Sequence, residues 1–99
     1  PIEKRMIQHF HTSCRKNDLS MTKLFLEIIQ MDPNVQGQSG MTALHFAARS
    51  GCTDVIQYLL SQEGIDVDLK DKFDNTPQDA ARVNHQTEAL ALLEDFIAN

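Results

Sequence analysis

Apolar residues in the middle of the chain recur with helical spacing. Leu44, Ala47 and Ala48 stand at i, i+3 and i+4, and Val55, Ile56, Leu59 and Leu60 form a second such stripe. Each run predicts a short amphipathic helix with one buried face. Thr42 can cap the first, its hydroxyl accepting an orphan backbone N–H. Gly51 ends it, because glycine accepts the positive φ of a helix C-terminus. The second opens near Thr53 or Asp54 and stops at Gly64. Ile65-Asp66-Val67-Asp68-Leu69 then alternates, as a short extended arm does. Lys70-Asp71-Lys72-Phe73-Asp74-Asn75 is polar and turn-like. Thr76-Pro77 starts a later helix: Thr caps, Pro loses no needed donor at the first position, and Asp79 suits the first-turn dipole. Nearer the N-terminus, Met6, Phe10 and Cys14 make a stripe spaced by four.

These segments are copies of one another. Sliding the chain by 34 residues places Met41-Thr42-Ala43-Leu44 over Asn75-Thr76-Pro77-Gln78, and Asp54 to Leu60 over Glu88 to Glu94. A second shift of 34 toward the N-terminus places Phe10 on Leu44, Cys14 on Ala48, Asn17 on Gly51, and Leu24-Phe25-Leu26 on Tyr58-Leu59-Leu60. Each copy reads as two short helices and a turn. Such units bury their faces only against neighbours, so an array of at least about three is expected.

Thr42-Ala43-Leu44-His45-Phe46-Ala47 resembles the T-P-L-H-x-A signature of the ankyrin repeat, with Ala in place of Pro. The resemblance continues through Ala48, Gly51, Val55, Ile56, Leu59, Leu60, Gly64, Asp66 and Val67, and in the third copy through Asp71, Thr76, Pro77, Ala80, Ala81, Leu92 and Leu93. Departures are Gln78 in place of Leu, His85 in place of Gly, Asp68 where many members carry Asn, and a longer link at Gln62-Glu63. The resemblance implies an all-α solenoid: an ankyrin-repeat stack of helix-turn-helix units joined by short hairpin loops. One domain over residues 1–99 is expected, with repeats near 3–36, 37–70 and 71–99. The first is charge-rich and cap-like. The last is also cap-like, since nothing after Leu93 begins a new arm.

Composition narrows the function. At 99 residues and a net charge of −5, one thin-cored domain is expected, not a two-domain enzyme. The acidic balance argues against nucleic-acid binding. No apolar run approaches the ~20 residues of a membrane helix, and no signal-peptide pattern opens the chain. Two cysteines are too few for a disulfide scaffold, so an intracellular location, cytoplasmic or nuclear, is expected. Charge is uneven: net +1 over residues 1–34 (five basic, four acidic), −2 over 35–70 (two, four) and −4 over 71–99 (two, six). Such a gradient reads either as surface charge that keeps the domain soluble or as a polarity that orients a partner with the opposite gradient.

Candidate chemistry is sparse. No phosphate-binding glycine motif occurs, and no nucleophile stands at a recognisable catalytic spacing. His11 and Cys14 share a helix face, but a structural zinc needs four ligands. Cys14 fits a buried packing role, and Cys52 is expected as a reachable thiol in the loop after Gly51. No enzyme activity, cofactor or metal is expected. The ankyrin resemblance gives His45 a structural role, supporting the hairpin by hydrogen bonding. It also implies a concave binding face built from hairpin tips and first helices. In this sequence that face carries Arg15, Lys16, Gln36, Gln38, Ser39, Met41, Arg49, Ser50, Lys70, Lys72, Phe73, Asn75, Val83 and Asn84. The expected function is a non-catalytic module, monomeric by itself, that binds another protein. The alternative is a targeting or regulatory domain of a larger enzyme, channel or ubiquitin-ligase adaptor.

Overall fold

Thr42 and Thr76 begin helices by the same reciprocal device. Thr42 Oγ1 accepts from the His45 amide at 3.4 Å, while His45 Nδ1 accepts from the Thr42 amide at 3.0 Å. Thr76 Oγ1 accepts from the Asp79 amide at 3.2 Å, while Asp79 Oδ2 accepts from the Thr76 amide at 3.1 Å. Each pair satisfies two backbone donors that a helix start leaves orphaned.

The computed structural model describes residues 2–99. Its helices are α1 (Ile2–Arg15), α2 (Leu19–Lys23), α3 (Ala43–Ser50), α4 (Thr53–Leu60), α5 (Pro77–Val83) and α6 (Thr87–Ala98). A π-helical turn, Leu24–Ile28, prolongs α2, and a 3₁₀ turn, Gln38–Gly40, sits in the loop before α3. There is no strand among the described residues. The arm Ile65–Leu69 alternates half-buried and exposed positions as expected, but it forms no ladder.

The helices form two rows. α3 lies between α1 and α5, and α4 lies between α2 and α6. The core runs through the stack along Phe10, Leu44, Val55, Ile56, Leu59 and Leu93, each at most 1% exposed. Its small members, Ala47, Ala48 and Ala81, let the inner helices approach closely. The result measures 34 × 25 × 23 Å.

Backbone conformation repeats with the sequence. Asn17, Gly51 and His85, each 34 residues apart, all take a left-handed φ of 57°, 70° and 59° in the turn between paired helices. Gln30 and Gly64 do so after the second helix of their pairs (φ 63° and 78°), and Gly40 and Asp74 at the loop tips (φ 73° and 67°). The register therefore extends to copies whose side chains have diverged. His85 accepts a conformation that costs a non-glycine residue roughly 1 kcal/mol.

Cys52 departs from expectation. It is only 5% exposed, and its Sγ lies 3.3 Å from the Arg15 carbonyl, which it satisfies at the end of α1. Burial raises its thiol pKa, so it is not a reachable nucleophile.

Gly51 combines a left-handed φ with a close approach, since an added Cβ would run into the Gln86 carboxamide. That carboxamide donates to the Arg49 carbonyl at 3.0 Å and ties the turn before α6 to the end of α3. Gly51→Ala is expected to cost about 1–2 kcal/mol and to lower Tm by roughly 5–15 °C in a thermal melt. His85→Gly is expected to move Tm the other way. A Gly51→Ala protein melting with the parent would show that this turn carries no strain.

Candidate protein-binding surface

The loop before α5 is positioned from inside α3. His45 is fully buried. Its Nδ1 accepts from the Thr42 amide, so the proton sits on Nε2, which donates to the Asn75 carbonyl at 2.7 Å. Asp71 holds the same loop from the other side. Its Oδ1 accepts from the amides of Phe73 at 2.9 Å and Asn75 at 3.0 Å. Burial lowers the His45 pKa, opposed by the Asn75 carbonyl and by the nearby charges of Asp71 and Asp79. The expected structural role of His45 is what the geometry shows.

The two loop tips are tied to each other. The Lys72 amide donates to the Ser39 carbonyl at 2.9 Å, and Gln36 Nε2 donates to the carbonyls of Gly40 and Lys70 at 2.9 and 3.0 Å. Loops and inner helices thus make one continuous surface on a fixed frame. Phe73 and Val83 stand out from it at 67% and 70% exposure. Lys72 Nζ lies over the Phe73 ring at 5.1 Å, leaving the aromatic outside the core. Arg15, Lys16, Gln36, Gln38, Arg49, Ser50, Lys70, Lys72 and Asn84 are exposed, and Ser39 is half-buried. Two positions differ from a free surface. Met41 is 6% exposed, with its thioether 3.8 Å from Arg49 Nη1, so it packs under the loop. Asn75 is half-buried and contributes its backbone to the His45 bond. Both are pulled inward because the residue before each capping threonine lies against the helix start.

Toward α1 the same surface deepens into a groove of about 1020 Å³ between α1, loop residues 36–38 and Phe46 of α3. Its lining joins Arg15, Gln36 and Gln38, three of the expected residues, to Lys4, Ile7, His11 and Phe46. These last four were not expected there. The signal for those on α1 was helical spacing: Lys4, Gln8, His11 and Arg15 follow i, i+4, i+7, i+11, one stripe of the helix.

His11 lies 34 residues before His45 but lacks its partners. α1 runs unbroken past Gln8, so no loop amide faces its ring as Thr42 faces His45. Gly37 replaces Asp71, and a Cβ there would meet the His11 ring at 3.0 Å and Ile7 Cγ2 at 2.9 Å. The missing side chain is what lets the imidazole pack against the loop and, at 5.1 Å between centroids, against Phe46. His11 Nε2 is buried with no hydrogen-bond partner among the described residues. Burial lowers the His11 pKa to about 4, opposed by the Val35 carbonyl and assisted by His45. Cys14 nearby is also fully buried, its thiol pushed up to about 12 by burial.

Residues 8–97 match the family model for ankyrin repeats in three copies, and the chain belongs to the ankyrin repeat family. It is 35% identical over 65 residues to palmitoyltransferase AKR1 of Naumovozyma castellii, covering 66% of this chain and 8% of that protein. It is 32% identical over 96 residues to the mitochondrial liver glutaminase of Rattus norvegicus, covering 96% of this chain and 16% of that protein. A solved complex of a Bdellovibrio bacteriovorus predatory endopeptidase with an immunity protein contains a similar chain. The TM-score is 0.84 at 28% identity, covering 91% of this chain and 46% of that one. The chain spans 5% to 24% of the length of the curated relatives it matches. Ankyrin repeats are in general non-catalytic protein-interaction modules. No helix among the described residues is long and apolar enough to cross a membrane.

The two histidine environments give a pH prediction. The unfolded His11 ring binds a proton below pH about 6.5, whereas the folded ring binds one only below about 4. Its contribution is complete above pH 6.5 and is lost as pH falls toward 4, by at most about 3.5 kcal/mol. The lowered His45 pKa acts in the same direction. Urea unfolding at pH 7.5 and 4.5 should show His11→Leu losing less stability than the parent between the two. Equal losses would remove His11 from the acid sensitivity.

Proposed function

We propose that this chain is a protein-binding module that holds its partner against the face formed by the loop tips and inner helices. The observation carrying this reading is the exposure of Phe73 and Val83 beside loops whose backbone is tied down by hydrogen bonds. Large apolar side chains held out from a rigid frame, beside Arg49, suit the anchors that dominate interface energies. We take the module to comprise three repeats near residues 3–36, 37–70 and 71–99, a reading supported by the repeated left-handed turns. The free thiols Cys14 and Cys52 support an intracellular, reducing location, cytoplasmic or nuclear. The partner is another protein, and the unbound module is a monomer.

A second reading is favoured by a separate observation. Relatives named as a palmitoyltransferase and a glutaminase are many times longer than the matched segment. On this reading the module targets or regulates an enzyme whose catalysis lies outside these residues. Both readings assign binding to the same face.

The double change Arg49→Glu and Phe73→Ala is expected to reduce partner capture from a native lysate by at least tenfold. Both side chains are exposed, so circular dichroism should be unchanged. Undiminished capture by a folded double variant would remove the assignment to this face.

A further inference from the structure

The groove along α1 differs in charge from the rest of the molecule. The chain carries −5 overall, yet the groove is lined by Lys4 and Arg15 against one carboxylate, Glu3. Among the described residues the ion pairs are Lys70–Asp74 and Arg82–Asp79, so neither groove cation is neutralised. His11 and His9 also line the groove. His11 adds no positive charge near neutral pH, so Lys4 and Arg15 set the sign. Between them the wall is mixed: Gln8, His9, His11 and Thr12 of α1 share it with two half-buried apolar side chains, Ile7 and Phe46.

Spacing turns this into a recognition pattern. Lys4 and Arg15 are eleven residues apart on one face of α1, about 16 Å along the helix axis. An extended peptide rises about 3.3 Å per residue and points alternate side chains to one side. Side chains at i, i+2 and i+4 therefore cover about 13 Å, and the long Lys and Arg side chains span the remainder. Two carboxylates at i and i+4 would meet the cations while the residue at i+2 lies over Ile7 and Phe46.

We infer that the groove binds an extended acidic segment of a partner protein with the pattern acidic–any–apolar–any–acidic. The inference rests on the reading that loops and inner helices form the binding face, and it names the partner chemistry at one end of that face. Carboxylates supply the complementary charge, and the central apolar residue packs on Ile7 and Phe46.

The test uses a fluorescein-labelled peptide, Gly-Ser-Glu-Ser-Leu-Ser-Glu-Ser-Gly, titrated by anisotropy at low salt and mapped by amide chemical shifts on the whole chain. Two control peptides carry Lys for both Glu residues, or Ser for Leu. Binding should shift amides of residues 4–15, 37–38 and 46 and weaken with added salt. The Lys peptide should not bind, and the Ser peptide should bind more weakly. Lys4→Glu with Arg15→Gln should weaken binding about tenfold, as expected for two lost exposed ion pairs, without changing Tm by more than a few degrees. Equal binding of the Lys peptide, or binding undiminished in the double variant, overturns the proposal. Shifts confined to Arg49, Phe73 and Val83 also overturn it but leave the wider binding face intact. No binding overturns it too, and capture by the Arg49→Glu, Phe73→Ala protein then judges the wider face independently.

Discussion

The imidazole of His45 is the interaction on which the arrangement of the second and third helix pairs depends. Its Nδ1 accepts from the Thr42 amide and closes the start of α3. That bond leaves the proton on Nε2, which reaches 30 residues along the chain to the Asn75 carbonyl. Asn75 immediately precedes Thr76, the cap of α5, so one buried ring sets where the next helix begins. In a dry interior such a network is strong when complete and costly when broken. The side chain is fully enclosed, and both nitrogens are used.

The equivalent position in the other two repeats lacks part of that arrangement. At Asp79 the helix-capping half survives and the reach to a later loop does not. At His11 the ring is present, but the cap amide and the later-loop carbonyl that His45 uses have no counterpart, and Nε2 has no hydrogen-bond partner among the described residues. The outer row varies in parallel. Leu60 is half-buried while its counterpart Glu94 is exposed, and Val55 is fully buried while Met21 is 41% exposed. Among the described residues the middle pair is packed on both sides, α3 against α1 and α5, and α4 against α2 and α6.

The proposed binding face takes its rigidity from these bonds. Loops carry function best when a packed scaffold positions them. Here Asp71, Gln36 and the Lys72–Ser39 backbone bond engage the polar groups of the tips, leaving the Phe73 side chain exposed outside the core. The substitution of Gly37 for a carboxylate at the first tip removes an anion and admits the His11 ring. A difference at one position therefore makes the two ends of the face chemically unlike.

The stack, the helix starts at Thr42 and Thr76, and the role of His45 were legible in the sequence. The helix starts depend on local spacing and on hydrogen bonds within four residues, and the stack depends on the 34-residue repeat. All the face residues that the ankyrin resemblance implied, except Met41, are exposed or half-buried. Four features were decided only by tertiary structure. Met41 turns inward and Cys52 is covered, because residues beside a cap or turn are shielded by whichever neighbouring helix lies there. His11 loses its partners because α1 continues through the position where α3 has its cap. The groove exists because Gly37, Phe46 and the α1 stripe come from segments far apart in sequence. Periodicity reports which face of a helix is turned in. Only packing determines what that face meets.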